Sequence, residues 1–246
     1  GNHWLQKQSK DVQRQLLGVQ GAKAWEAGRP WQDVLRNYSP AVMKSRVSVV
    51  FKEQTKAAKN GKMEEKKEYK VADSEKIKEL QKQSDEVYKK MNKGEREALS
   101  EYTQGGYIPI NSSLAVGEKS FYEKSLNDAI NKFILKDDII TYRGTNEKYY
   151  KNYKVGDVFE GKVFYSTSLD YEQAKVFADD VIEYDEDGYK GVLLEIKVPK
   201  NSRALYVGEN TDYTVNEREL LLSNKVKYKI EKIEKGKIVL EVLKDE

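Results

Sequence analysis

The spacing of apolar residues changes character near residue 137. Ahead of that point Ile77, Leu80, Val87 and Met91 recur along one segment, and Phe121, Leu126, Ile130 and Ile134 along another. These are the intervals that stack side chains on one face of an α-helix. Beyond it, short runs such as "DIITYRG", "KVFYSTSL", "GVLLEIKVP", "RALYVG" and "RELLLS" are rich in β-branched and aromatic residues and are set off by Gly, Pro, Asn and Asp, as strands are. The last stretch alternates Val226, Tyr228, Ile230 and then Ile238, Leu240, Val242 around "EKGK", which predicts a hairpin. Helices lead and strands follow, so the pattern predicts an α+β fold with N-terminal helices and a two-sheet, mainly antiparallel core.

Within the helical part, Asp73 or Ser74 caps the first long segment and Gly94 ends it; a second, "EREALSEYT", runs to Gly105 and Gly106, and a third spans "SFYEKSLNDAINKFI". Further on, "YDEDGYKG" shares acidic residues with a calcium loop but lacks its spacing and terminal Glu, so Asp187-Gly188 is expected to be a hairpin turn. Residues 52–72 are mostly Lys, Glu, Ala and Asn, with Gly61 in the middle and no apolar stripe, which suits a linker or an exposed helix. A boundary belongs there: residues 1–60 as a helical leading segment with its linker, residues 61–246 as the main domain. The leading segment holds Trp4, Trp25 and Trp31 and the phrase "LLGVQGAKAWEAGRPWQDVL", predicting short helices joined by tight turns. That phrase loosely resembles the end of the minor head protein family of tailed phages.

Composition narrows the chemistry. The 246 residues are 38% hydrophobic and 35% charged, enough apolar material for one large or two modest globular domains. No apolar run approaches the roughly 20 residues of a membrane span, and no charged-then-apolar leader opens the stretch, so no secretion signal is expected in it. There is no Cys and a single His, His3, which argues against disulfides, thiolate chemistry and a transition-metal site; no metal is expected. The net charge of +3, from 44 basic and 41 acidic residues, is small for a nucleic-acid binder. The densest basic stretch, "KEQTKAAKNGKMEEKKEYK", has Glu between its lysines and reads as a solvated segment.

Three pieces of the strand region carry candidate chemistry. Ser166, Thr167 and Ser168 end a strand that reads as buried, where an unpartnered hydroxyl costs about 1–3 kcal/mol. Taken alone, they would bond to neighbouring backbone. Arg143 in "TYRG" would ordinarily be a surface or ion-pair residue, and the acidic residues of "NEREL" a solvated edge. If residues 217–219 are extended, Glu217 and Glu219 point the same way and Arg218 the opposite way.

In this order and spacing, Arg143, Ser166-Thr167-Ser168 and Glu217-Arg218-Glu219 resemble the Arg…Ser-Thr-Ser…Glu-x-Glu pattern of mono-ADP-ribosyltransferase toxins, which include actin-modifying binary toxins and insecticidal toxins. The resemblance runs from about residue 74 to 246. It includes "ALSEYTQGGYIPINSSL", "GKVFYSTSLDYEQAKVF" and "LLEIKVPKNSRALYV".

What the resemblance implies is an enzyme that uses NAD as substrate, without a metal, and transfers ADP-ribose to a protein arginine. Arg143, with Gly144 beside it, would hold the pyrophosphate through its guanidinium fork. Glu219 would accept a hydrogen bond from the nicotinamide-ribose 2′-hydroxyl and stabilise the oxocarbenium-like sugar, as carboxylates do in glycosidases. Ser166 would hold Glu219, while Thr167 and Ser168 secure the strand beneath the nicotinamide. In the family, a Glu at the position of Glu217 goes with arginine as acceptor, and Gln there with asparagine. Tyr213, in "VGENTDYTVN", either presents its ring to the target protein or packs on its own loop. Implied partners are NAD and a target protein bearing the acceptor arginine, with actin named by family analogy; no nucleic acid and no membrane span are expected, and a monomer is. The place of action is outside the producing cell or in a target-cell cytosol, or on a virion if the leading segment is phage-derived.

Two other readings stay open: an NAD glycohydrolase that only depletes NAD, and a catalytically silent virion or binding protein. There are also departures from the family pattern. No Arg follows "IN" in "NSSLA" or Ser168 in "LDYEQAKVF", positions from which relatives help hold NAD; Lys175 or Arg203 are the candidate substitutes.

Overall fold

A computed structural model of the chain describes residues 7, 9–30, 34, 67–184, 188–211 and 217–244. The chain divides into two compact units, residues 1–66 and 67–246. In the first, helix α1 (Lys10–Glu26) starts at Ser9, whose hydroxyl accepts from Val12 N, and is interrupted at Gly18, where φ is 70° and ψ 169°. Leu16, Leu17, Ala22 and Val34 are buried together, with Trp25 packed against them. Trp4 and Trp31 lie outside the described residues.

The second unit begins with strand β1 (Lys70–Val71) and the helices that the 3.6-residue period predicts. Helix α2 (Ser74–Lys90) is capped by Asp73, whose carboxylate accepts from Lys76 N at 2.8 Å, and buries Leu80, Ser84 and Val87. It ends at Met91, whose extended ψ of 137° breaks the helix. Gly94, expected as the stop signal, instead lies in the first turn of α3 (Lys93–Glu101). The stronger local signal is the reciprocal cap between Asn92 and Glu95, which satisfies two otherwise unpaired N–H groups at that helix start. A π-type turn, Tyr102–Gly106, carries the chain over Gly105 (φ 111°) into α4 (Tyr107–Ala115). Pro109 is tolerated there because the first turn of a helix needs no N–H donor. Helix α5 (Glu123–Asn131) buries Leu126, Ala129 and Ile130 completely, and each large apolar side chain so buried stabilises the fold by about 1.5–3 kcal/mol.

The strands that follow are β2 (Ile139–Asn146), β3 (Val158–Glu160), β4 (Tyr165–Ser168), β5 (Gly191–Val198), β6 (Ala204–Tyr206), β7 (Glu219–Leu222), β8 (Lys227–Glu234) and β9 (Lys237–Val242). They are hydrogen-bonded in the order β3-β8-β9-β5-β2-β4-β7-β6, with β1 beside β2. All pairs are antiparallel except β1 with β2 and β5 with β9. The strands form one hydrogen-bonded sheet in place of the two expected, its groups β3-β8-β9-β5-β2 and β4-β7-β6 joined through the residue pair Tyr142↔Ser168. The β8–β9 hairpin forms as the alternation predicts, turning at Gly236 with φ 77°.

One element went against the period. Residues 171–184 form helix α6 (Tyr171–Tyr184) inside the strand region. Asp170 starts it, accepting from Glu172 N at 3.0 Å. The helix is seated on β2 and β5 by two glycines: a Cβ at Gly144 would collide with Ala174 O and Ala178 N, and one at Gly191 with Ala178 O. The expected Asp187-Gly188 turn lies partly outside the described residues, which pause after Tyr184 of α6 and resume at Gly188 ahead of β5; Gly188 has a turn's positive φ of 75°. No helix among the described residues is long and apolar enough to cross a membrane, and none of their His, Cys, Asp and Glu side chains gather as a metal site.

Candidate active site

The joint between the two strand groups brings the candidate residues together. Arg143 comes from β2, Ser166, Thr167 and Ser168 from β4, and Glu219 is the first residue of β7. The Ser166 hydroxyl donates to Glu219 Oε1. Arg143 Nη1 donates to the Ser166 carbonyl oxygen at 2.7 Å. Ser166 thus meets the guanidinium through its backbone and the carboxylate through its side chain.

The other two hydroxyls are buried and committed to strand backbone. Thr167 Oγ1 donates to Leu220 O at 2.6 Å and lies 2.7 Å from Thr141 Oγ1. Ser168 Oγ donates to Glu217 O at 2.6 Å and accepts from Asp170 N at 3.0 Å. Their side chains tie β2, β4 and the start of β7 together, the strand-securing part expected of them. Gly144, named with them, has its α-carbon against α6, so its small size is explained by helix packing.

The two carboxylates reach one region by a backbone route that alternation did not foresee. Strand β7 begins at Glu219, and Arg218 is in the left-handed region with φ 49°. The segment 217–219 is not extended throughout, and the expectation based on period-2 alternation does not hold at Arg218. Arg218 O accepts from Leu169 N at 3.0 Å and Glu217 O from Ser168 Oγ, so β4 pins the turn from both sides. Arg218 itself is half-exposed and lies 4.0 Å from Asp170.

Burial pushes the Glu219 carboxyl up to about 7; the hydrogen bond from Ser166 and the nearby Arg143 charge work against that rise, while Glu217 adds to it. Part of the residue's surface stays open to solvent. Burial also raises Glu217. Near neutral pH Glu219 therefore passes between its protonated and anionic forms, within the influence of both Glu217 and the Arg143 charge.

Beneath Arg143 lies a group of tyrosines that sequence reasoning missed. The guanidinium carbon sits 5.2 Å from the centroid of the Tyr165 ring, within cation–π range. Tyr165 hydrogen-bonds Tyr150 through their hydroxyls at 2.9 Å and stacks on Tyr228, with centroids 4.9 Å apart. Burial pushes the Tyr150 and Tyr228 hydroxyls well above the ordinary phenol range and raises Tyr165 as well. The available signal was compositional: 17 Tyr against 6 Phe, far more phenol than a surface needs. Asn111 was also missed. It accepts from Phe164 N at 3.0 Å and donates to Phe164 O at 3.1 Å, clamping the residue that enters β4.

Of the remaining candidates, Lys175 is exposed on α6, and Arg203 donates to the carbonyl of Asn131. Tyr213 lies outside the described residues.

Comparison with known proteins follows from this geometry. Residues 74–244 match the family model described as ADP-ribosyltransferase exoenzyme. A curated relative, the NAD(+)–arginine ADP-ribosyltransferase EFV of Enterococcus faecalis, is 32% identical over 160 residues, which is 62% of this chain and 31% of that protein. The chain thus spans about a third of that relative's length. Among solved structures, Plx2a, an ADP-ribosyltransferase toxin from Paenibacillus larvae, covers 69% of this chain and 96% of its own at TM-score 0.56 and 24% identity. The ADP-ribosyltransferase Vis in complex with agmatine covers 70% and 87% at TM-score 0.54 and 24% identity; Vis comes from Vibrio splendidus. At that identity the two structures bear on the fold.

Proposed function

The chain belongs to the ADP-ribosyltransferase exoenzyme family, and from that premise we propose that it transfers ADP-ribose from NAD to an arginine side chain of a target protein. The observation that carries the reading is the arrangement Arg143–Ser166–Glu219, with Glu217 close enough to raise the Glu219 carboxyl.

In this reading Arg143 holds the NAD phosphates as a two-pronged donor. The bond between nicotinamide nitrogen and ribose C1″ breaks, and its electron pair leaves with nicotinamide. Ionised Glu219 faces the positive charge that develops on the sugar, a stabilisation realised mainly in the transition state. A guanidinium nitrogen of the acceptor then bonds to C1″ and gives up a proton. Since a free guanidinium has a pKa above about 12, that step needs a base; Glu217, with its raised affinity for protons, supplies it. Thr167, Ser168 and Gly144 act in the framework, and Tyr213, six residues before Glu219, is read as meeting the target.

The name of the Enterococcus relative and the agmatine in the Vis complex favour arginine as acceptor. The catalytic unit is read as residues 61–246, acting as a monomer, secreted or delivered into a target cell. Actin remains the target suggested by family analogy. Labelled NAD supplied with agmatine, an arginine analogue, tests the reading. Released nicotinamide together with ADP-ribosyl-agmatine is expected, and Glu219→Gln should lower both by about 10²–10³-fold. Nicotinamide release with no labelled guanidine would make the chain a glycohydrolase; neither product would make it a binding protein.

A further inference from the structure

The corner between β4 and α6 holds the turn ahead of β7 by two consecutive backbone contacts. Ser168 is buried at the end of β4, and its hydroxyl is bonded on both sides: it accepts from Asp170 N at 3.0 Å and donates to Glu217 O at 2.6 Å. The next residue, Leu169, is buried too and donates its N–H to Arg218 O at 3.0 Å. Opposite Ser168 in the strand register stands Glu219. One residue therefore meets Glu219 through its backbone and Glu217 through its side chain. The corner itself is firmly seated. The Asp170 carboxylate starts α6 by accepting from Glu172 N at 3.0 Å, and Gly144 lets that helix lie directly against β2.

Between the two carboxylates Arg218 is left-handed, with φ 49°. A residue in that region turns the chain, so the direction in which Glu217 leaves the backbone is set by the turn and not by strand alternation. Residues other than Gly, Asn and Asp rarely rest there, and something must hold this one. Its ion pair with Asp170 is long, at 4.0 Å, and half-exposed, a kind that contributes little. The buried Ser168 hydroxyl, fixed at both ends, is the stronger hold.

We infer that Ser168 is a positioning residue for Glu217: by holding the left-handed turn at Arg218 it aims the acceptor-side carboxylate, and so sets how NAD is divided between transfer to a guanidine and hydrolysis by water. The inference rests on the arginine-transfer reading. Both outcomes begin alike, with the bond from nicotinamide nitrogen to C1″ breaking and its electron pair leaving on nicotinamide. In transfer a guanidine nitrogen bonds to C1″ and its proton passes to Glu217; in hydrolysis a water oxygen bonds there and its proton passes to solvent. Only transfer needs Glu217 in place, and a displacement of about 1 Å can cost up to 10²-fold.

The test measures nicotinamide release and ADP-ribosyl-agmatine together on the full chain at fixed agmatine. Ser168→Ala should lower the fraction of cleaved NAD that appears as ADP-ribosyl-agmatine by about tenfold. In a Glu217→Gln background the same change should have no further effect on that fraction, because the carboxylate it aims is gone. Position 218 tests the turn itself. Arg218→Asn, which tolerates the left-handed region, should keep the wild-type division within about twofold, whereas Arg218→Val, β-branched and resistant to it, should reproduce the loss. A merely structural Ser168 would lower both products alike. That result overturns the inference, as does an unchanged division in Ser168→Ala and Arg218→Val, or a further loss in the double variant. A wild type that labels no agmatine overturns the arginine reading, and the inference with it.

Discussion

Ser166 donates its hydroxyl hydrogen to Glu219 along a diagonal of the β4–β7 pair: the backbone partner of Glu219 is Ser168, while Ser166 stands opposite Leu221. Diagonal neighbours on one face of an antiparallel pair are separated by about 7–8 Å, a distance that a Glu side chain can reach across. The carboxylate therefore leans along the strand toward the Arg143 side. Ser166→Ala removes the donor and leaves the carboxylate free to rotate. Nicotinamide release should fall by about tenfold, less than for loss of the charge itself. Steady-state rates for the two variants check the order; equal losses would mean that Ser166 acts directly on substrate.

The role proposed for Glu219 comes at a cost to the fold. Its carboxyl, raised by burial from the ordinary 4.5 to about 7, binds its proton more tightly folded than unfolded. Stability is then greatest at low pH and falls as pH rises from about 4.5 through 7, because the folded state must accept a buried charge. Glu219→Gln removes that charge, so the variant should melt higher than wild type at pH 8, by on the order of 1 kcal/mol or about 2–4 °C in Tm, with the gap closing toward pH 5. Differential scanning calorimetry at both values decides it. Wild-type nicotinamide release should rise through the same pH range as the carboxylate forms.

Glu217→Gln should separate the two reactions. An amide cannot take the guanidinium proton, so labelling of agmatine should fall by at least about 10²-fold, while nicotinamide release into water persists. Both products measured on one preparation give the answer, and parallel losses would place Glu217 in the sugar-cleaving half.

The Arg143–Tyr165 stacking predicts a graded pair. Tyr165→Phe keeps the ring under the guanidinium and loses only the hydroxyl bond to Tyr150, so KM for NAD should change less than about threefold. Tyr165→Leu removes the ring face, a contact worth about 0.5–2 kcal/mol, and should raise KM for NAD up to about tenfold with a smaller effect on kcat. If both variants behave alike, the ring does not orient Arg143.

The helices were legible where cap and stripe agreed. Asp73 followed by Leu80 and Val87 located α2, and the alternation around Gly236 located the last hairpin. Helix α6 lies among strand-like runs and was not assigned, although Asp170 as a cap and Ala174 and Ala178 one turn apart were its signal. The site residues were legible through their order along the chain. The division among the three hydroxyls came through the family resemblance and not through the residues themselves: Thr167 and Ser168 look like Ser166 in sequence, yet only Ser166 spends its hydroxyl on a carboxylate. The phenols beneath Arg143 come from three separate segments, and no local pattern connects Tyr150, Tyr165 and Tyr228.

Arg218 pays for its left-handed conformation with roughly 1–3 kcal/mol of backbone strain, and what that turn creates is independence. Glu219 belongs to a strand, locked by its neighbours, while Glu217 belongs to the loop that ends one residue earlier. On the proposed function, a substitution at 217 is expected to alter which nucleophile is accepted without disturbing how the glycosidic bond is broken. Acceptor choice and cleavage of NAD are, on that reading, written into separate stretches of the chain.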